Sequence, residues 1–122
     1  RASKQLALDS KLPLVNDQVI KVEVLNGNGV RGIANEAASF LKKKGYRVSG
    51  VSNSQSFNYA NTLIVDWKGN IENSLKVSKI LKISPKNIVV YDRQDKPLDI
   101  TLVLGKDWSV DHLEVLKDET RD

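Results

Sequence analysis

The sequence predicts an α/β domain: a two-layer sandwich whose mixed sheet carries two helices on one face. Three observations predict it. Between residues 18 and 108 the apolar period switches repeatedly between about two and about 3.6 residues, the signatures of strand and helix. The resulting order is β-α-β-β-α-β-β, two βα units joined by adjacent strands, an arrangement of the split βαβ kind. The first strand places Lys21 and Glu23 on one side and Ile20, Val22 and Val24 on the other, so one face of the sheet is left wetter.

Each element has a local reason. Val19–Asn26 (VIKVEVLN) alternates as a half-buried strand does. Ile33–Lys44 (IANEAASFLKKK) sets Ile33, Ala37, Phe40 and Leu41 on one helical face, with Glu36 and Lys43 turned away. Gly45 follows as a left-handed helix stop, and Lys42, Lys43 and Lys44 suit the negative end of the helix dipole. Tyr46–Ser52 is the second strand, Ser52–Asn61 a polar loop holding Phe57 and Tyr59, and Thr62–Trp67 the third strand. Asn70–Lys82 reads as a helix with Ile71, Leu75 and Leu81 inward. Asn87–Asp92 is the fourth strand, Arg93–Pro97 a turn, and Asp99–Gly105 the fifth strand. Residues 1–17, aperiodic and holding Pro13, read as a linker or arm. Residues 109–122 are acidic and read as a tail or a short helix on Val110, Leu113 and Leu116.

Composition narrows the function. A chain of 122 residues suits one domain, which buries roughly two-thirds of the surface its unfolded chain exposes. There is no cysteine, so a disulfide framework, a thiolate zinc site and a cysteine nucleophile are all ruled out. No apolar run reaches the ~18 residues a membrane-spanning helix needs. The chain starts at Arg1, not Met, and the expectation is a piece of a longer protein whose membrane association lies upstream of Arg1. Charge is uneven: nine Lys/Arg against four Asp/Glu in residues 1–52, seven against five in 53–104, and three against six in 105–122. The net +4 is small enough to be a solvated surface, although a basic body also suits an anionic partner.

The sharpest motif is Gly27-Asn28-Gly29-Val30-Arg31-Gly32, a G-x-G-x-x-G between strand and helix. In a dinucleotide fold such a loop cradles pyrophosphate with backbone amides at a helix N-terminus. That reading wants a strand buried on both faces and an acid about 20 residues on. Here the strand carries Lys21 and Glu23, and the position of the acid is held by Ser52 and Asn53. The other readings are a tight strand-to-helix turn, or exposed amides that hold a glycan or anion with help from Arg31.

The segment VEVLNGNGVRGIANEAASFLKKKGYRV, together with the later DITLVLGKDW, resembles the LytR C-terminal domain family over about Val19–Trp108. Asn28 stands where that family often has a small hydroxyl residue, and Ser52–Asp92 carries little of the likeness. The resemblance implies an extracytoplasmic, membrane-anchored module of the bacterial cell envelope. It implies no catalysis and no cofactor, because the transferase activity belongs to a separate domain. The implied partner is a cell-wall polymer or an envelope protein.

Other chemistry-bearing residues have plainer readings. His112 is the only histidine and reads as a solvated group of the tail. Asp92, Asp95 and Asp99 flank a turn that asparates favour. Trp67, Trp108, Phe57 and Tyr59 either close the ends of the core or offer stacking surfaces. The Lys42–Lys44 run with Arg47 reads as dipole compensation.

The expected function is non-catalytic recognition through Asn26, Gly27, Asn28, Gly29 and Arg31, extended by Gly105, Asp107 and Trp108, with no metal. One rival is a nucleotide or phosphate binder using Gly27–Gly32. Another is a nucleic-acid binder on the open sheet face, weakened by the charges of Lys21 and Glu23, so no nucleic-acid partner is expected. An edge strand of the sheet offers a place for a second chain to pair.

Overall fold

The computed structural model describes residues 19–119, so the arm expected at residues 1–17 lies outside the described residues. Five strands form one mixed sheet among these residues: β1 (Lys21–Asn26), β2 (Arg47–Asn53), β3 (Leu63–Asp66), β4 (Ile88–Val90) and β5 (Ile100–Leu104). Their spatial order is β2-β1-β5-β3-β4. β1 lies parallel to β2 and β5, β3 lies parallel to β4, and β3 meets β5 antiparallel. Register slips between Val22 and Glu23, where Val22 opposes Val48 and Glu23 opposes Gly50.

The chain order β-α-β-β-α-β-β stands, and the helical layer holds one more helix than expected. α1 (Ile33–Lys43), α2 (Ile71–Leu81) and α3 (Val110–Glu119) bury side chains in a single core with Val22, Val24, Ile64, Ile100, Leu102 and Leu104 from the strands. The acidic end is helical because Leu113 and Leu116, three residues apart, fall on one stripe, and both are 1% exposed. α1 ends as its sequence foretells. Gly45 takes φ 95°, the Tyr46 N–H donates to Leu41 and the Gly45 N–H to Lys42, so the last carbonyls are satisfied.

Two local expectations need correction. In α2 the inward stripe is Ser74, Val77, Ser78 and Leu81, whereas Ile71 and Leu75 are 47% and 42% exposed. Apolar residues mark two stripes of this helix, and the small serines let its backbone sit close on the sheet beside β3. The fourth strand is shorter than Asn87–Asp92. Pro85 and the Ser84 hydroxyl, which accepts the Lys86 N–H, set up a 3-10 turn at Pro85–Asn87 first.

Charge on the open face of the sheet is absorbed by a relay across three strands. The indole N–H of Trp67 donates to the Thr101 hydroxyl at 2.8 Å, and that hydroxyl donates to the Glu23 carboxylate at 2.9 Å. Thr101 is thereby satisfied despite being 3% exposed.

Candidate functional site

The loop after β1 is held by its own asparagines. Asn26 is buried at the end of the strand. Its carbonyl oxygen accepts the N–H groups of Asn28 (3.1 Å) and Gly29 (2.9 Å), and its amide donates to the Val30 carbonyl (2.7 Å). This is an Asx turn, in which a side chain stands in for backbone. Asn28 looks the other way. Its amide donates to the carbonyls of Gly105 (3.0 Å) and Trp108 (2.9 Å), and its carbonyl oxygen accepts the Val30 N–H. The Gly27 N–H donates to Leu104, continuing the ladder to β5.

The N–H groups of residues 27 to 30 therefore all donate inside the protein. The expectation of exposed amides is corrected for residues 27 to 30, whose N–H groups already have acceptors in the Leu104 carbonyl and the Asn26 and Asn28 side chains. Gly27 is needed for close approach, because a Cβ there would lie 2.8 Å from the Leu104 carbonyl oxygen and 2.8 Å from Tyr59. Gly105 is tighter still, pressed against the backbone of Asn61 and Thr62. Gly29 lies beside Phe57, Gly32 takes φ 82° as the N-cap of α1 with no side-chain cap, and Arg31 is exposed.

The structure brings the two halves of the expected surface together. Asn28 ties the β1–α1 loop to the β5–α3 loop, and the polar loop 54–61 joins them. The Ser54 N–H donates to Asn26, the Tyr59 N–H to Gly27, the Lys106 N–H to Tyr59 and the Asp107 N–H to Ala60. Asp107 completes the knot: its Oδ1 accepts both the Thr62 N–H (2.8 Å) and the Thr62 hydroxyl (2.6 Å), and that hydroxyl accepts the Gly105 N–H.

Two concavities flank this knot. The larger, about 320 Å³, lies where β1 and β2 end against the start of α1, lined by Asn26, Asn35, Ser52 and Asn53 among others. Ser52 and Asn53 thus stand beside the turn where a ribose-binding acid would be needed, and they are neutral. The smaller, about 150 Å³, lies between the end of α2 and the start of α3, with Thr62, Asn87, Asp107, Trp108 and His112 on its walls.

His112 departs from the expected solvated position. Its ring packs on Trp108 with centroids 4.6 Å apart, and Nε2 lies 2.7 Å from the Leu81 carbonyl. A carbonyl only accepts, so Nε2 carries the proton. The remaining groups serve structure. Asp99 accepts the Lys21 N–H and Asp92 accepts from Gln94. The hydrogen bond from Arg93 holds the exposed Asp95 carboxyl below its ordinary range and raises Arg93 in turn. Trp67 lies between Tyr91, stacked at 5.5 Å, and the Lys96 ammonium, 4.3 Å from its ring. Lys42, Lys43 and Lys44 are exposed at the end of α1.

Thr62 and Asp66 carry roles that the sequence does not assign. Asp66 had a legible signal. Asp66 and Gly69 repeat the spacing of Asn26 and Gly29, and the Asp66 Oδ1 likewise accepts N–H groups, from Lys68, Gly69 and Asn70. Among the described residues no three His, Asp or Glu gather as a metal site, and no helix is long and apolar enough to cross a membrane.

Comparison with known proteins agrees with this architecture. The fold is similar to that of the soluble domain of a conserved hypothetical secreted protein from Mycobacterium marinum. The match has 23% identity and a TM-score of 0.52, and it covers 80% of this chain and 69% of that one. No curated protein matches the chain. The sequence profile described as LytR cell envelope-related transcriptional attenuator matches residues 19–108, from the start of the described body through Trp108. The chain belongs to this LytR C-terminal domain family.

Proposed function

We propose that this domain is a non-catalytic, extracytoplasmic recognition module of the cell envelope, and that its target is a wall glycan. One observation carries the choice of surface. The Asn28 side chain clamps the β1–α1 loop onto the β5–α3 loop, so residues far apart in sequence form one preorganised end of the molecule. The groups around it suit a glycan: the exposed Asn35, Ser52 and Asn53 offer neutral donors and acceptors, and Phe57 offers an exposed ring. Family membership and the secreted-protein neighbour support the envelope location.

The test is co-sedimentation of the purified domain with isolated wall sacculi across a salt series, before and after removal of their anionic polymers. Saturable binding that survives moderate salt and polymer removal is expected. Arg31→Ala and Asn35→Ala, both at exposed positions outside the clamp, should weaken it without changing thermal stability. Binding that disappears with the anionic polymers would replace the glycan by those polymers. Absence of binding at any salt would replace it by an envelope protein.

A further inference from the structure

We infer that the smaller cleft, between the end of α2 and the start of α3, is a binding site for one neutral sugar ring. Its position as a glycan subsite rests on the recognition reading above; its chemistry stands on the cleft's own groups.

Trp108 is 2% exposed, lines the cleft, and its indole N–H has no hydrogen-bond partner among the described residues. Leaving a buried donor unpaired is costly, and such groups are rare in folded proteins. The other tryptophan shows the contrast, since the Trp67 N–H is satisfied by Thr101. Trp108 therefore calls for an acceptor.

The neighbouring groups ask for a donor as well. Asp107 has one oxygen engaged by Thr62, while Oδ2 makes no hydrogen bond among the described residues. The half-buried Asn87 side chain is likewise without a partner among them, and it presents both a carbonyl oxygen and an NH2 group. With Nε2 of His112 holding the proton for Leu81, Nδ1 of the neutral ring is a further acceptor. A hydroxyl both donates and accepts, so a molecule with adjacent hydroxyls answers this mixture where a pure anion or cation does not.

Charge and volume agree. The cleft's charged lining residues, Asp107 and Lys82, are of opposite sign, so no net charge recruits an ion. The Asp107 carboxylate on the wall also repels a phosphate placed against it. A volume of about 150 Å³ holds a single ring of six heavy atoms with its substituents partly outside. Asp107 and Trp108 follow Gly105, whose carbonyl the Asn28 clamp holds, so the cleft is mechanically part of the proposed recognition end.

The test is a titration of the intact, isotope-labelled domain followed by its two indole N–H resonances. Glucose and N-acetylglucosamine are the probes, and inorganic phosphate is the anionic comparison. The expected result is a saturable shift of the Trp108 resonance with at least one sugar and none with phosphate, while the Trp67 resonance, already hydrogen-bonded, stays in place. Asn87→Ala leaves no core contact missing and should weaken sugar binding about tenfold, the worth of one hydrogen bond. Asp107→Asn keeps the oxygen that Thr62 uses and should do the same. The inference is overturned if neither sugar moves the Trp108 resonance, if phosphate moves it as far, or if both variants bind sugar like the parent. The two readings separate cleanly. Sacculus binding with an unmoved Trp108 signal sinks the cleft and leaves the recognition module. A sugar-dependent Trp108 shift lost in Asn87→Ala, without sacculus binding, keeps the cleft and sinks the wall-glycan reading of the module.

Discussion

The molecule solves the same local problem twice, at β1–α1 and at β3–α2, and finishes the two junctions differently. Each strand ends on a buried residue with a short side chain, Asn26 at 6% and Asp66 at 1% exposure. Each side chain gathers the next backbone N–H groups, and each is followed three residues on by a glycine at positive φ, Gly29 at 85° and Gly69 at 71°. After that they diverge. At β3–α2 the turn is short, Asn70 caps the helix by accepting the Asn73 N–H, and the turn at residues 91–97 closes over it. The Arg93 N–H donates to Trp67, and the Lys68 ammonium donates to the carbonyls of Gln94 and Lys96. At β1–α1 the loop is longer, the helix has no side-chain cap, and Asn28 reaches out to a different loop. The β3–α2 junction is sealed, while the β1–α1 junction is tied to the end of the molecule that carries both concavities. Since β1 and β3 run in opposite directions through their antiparallel and parallel partners, the sealed and the tied junction lie at opposite ends of the sheet.

The largest expected break in this comparison is Gly105→Ala against Gly69→Ala. A Cβ at Gly105 would lie 2.7 Å from the Thr62 nitrogen and would overlap the Asn61 backbone, neither of which can rotate aside. Overpacking against fixed backbone should cost on the order of 3 kcal/mol in urea unfolding. At Gly69 a Cβ meets only the Asp92 carboxylate, 3.9 Å away, so the cost is the left-handed conformation alone, about 1 kcal/mol. Equal losses at the two sites would show that the tied junction is no more crowded than the sealed one.

Asn28→Ala should come next. It removes three hydrogen bonds, leaves the carbonyl of Trp108 and the N–H of Val30 unanswered, and leaves the Gly105 carbonyl with the Trp108 N–H alone. A loss of about 2 kcal/mol is expected, with hydrogen exchange accelerating at Val30 and in the 105–109 segment before it does in β3. Uniform acceleration across the sheet would mean that the clamp is not a local device.

The two turn residues differ in what their second atom does, and exchanging their chemistry sharpens the point. Asn26→Asp replaces an amide that donates to Val30 by a carboxylate oxygen facing a carbonyl, and should cost about 2 kcal/mol. Asp66→Asn keeps the Oδ1 acceptor and changes only Oδ2, which is buried without a hydrogen-bond partner among the described residues. That change should be near neutral, within about 0.5 kcal/mol. Matching losses in thermal unfolding at pH 7 would remove the distinction.

How far these features were legible follows from the same residues. The succession of strands and helices along the chain, the α1 face and its stop at Gly45 are readable because alternation and helical spacing are strong in those segments, whereas the order of the strands in the sheet is not. The inward face of α2 was not, because Ile71 and Leu75 form a second apolar stripe and only contact with the sheet selects Ser74 and Ser78. The glycine loop was visible as a motif, yet the partners of Asn28 stand 77 and 80 residues away, a distance no local pattern spans. His112 was read as tail for the same reason, since its partner Leu81 is 31 residues back. The clamp residues Gly105, Asp107 and Trp108 came into the expected surface through family likeness, and the cleft they share with Asn87 and His112 has no signature along the chain.

The smallest expected effect concerns the foot of the tied unit, where α1 returns to β2 through Tyr46. Burial pushes the Tyr46 phenol above its ordinary range, because the phenolate would lose hydration beside the core. The folded state then holds this proton more tightly than the unfolded chain does. The tyrosine contribution is fully present below the unfolded pKa near 10 and is lost as pH rises through the higher folded value. Stability measured by urea midpoint should therefore fall on going from neutral pH to above about 10. Tyr46→Phe should flatten that alkaline decline while leaving the midpoint at pH 7 nearly where it was, since the Tyr46 hydroxyl makes no hydrogen bond among the described residues. An alkaline decline that persists unchanged in Tyr46→Phe would place the titrating burial elsewhere than at the return from α1 to β2.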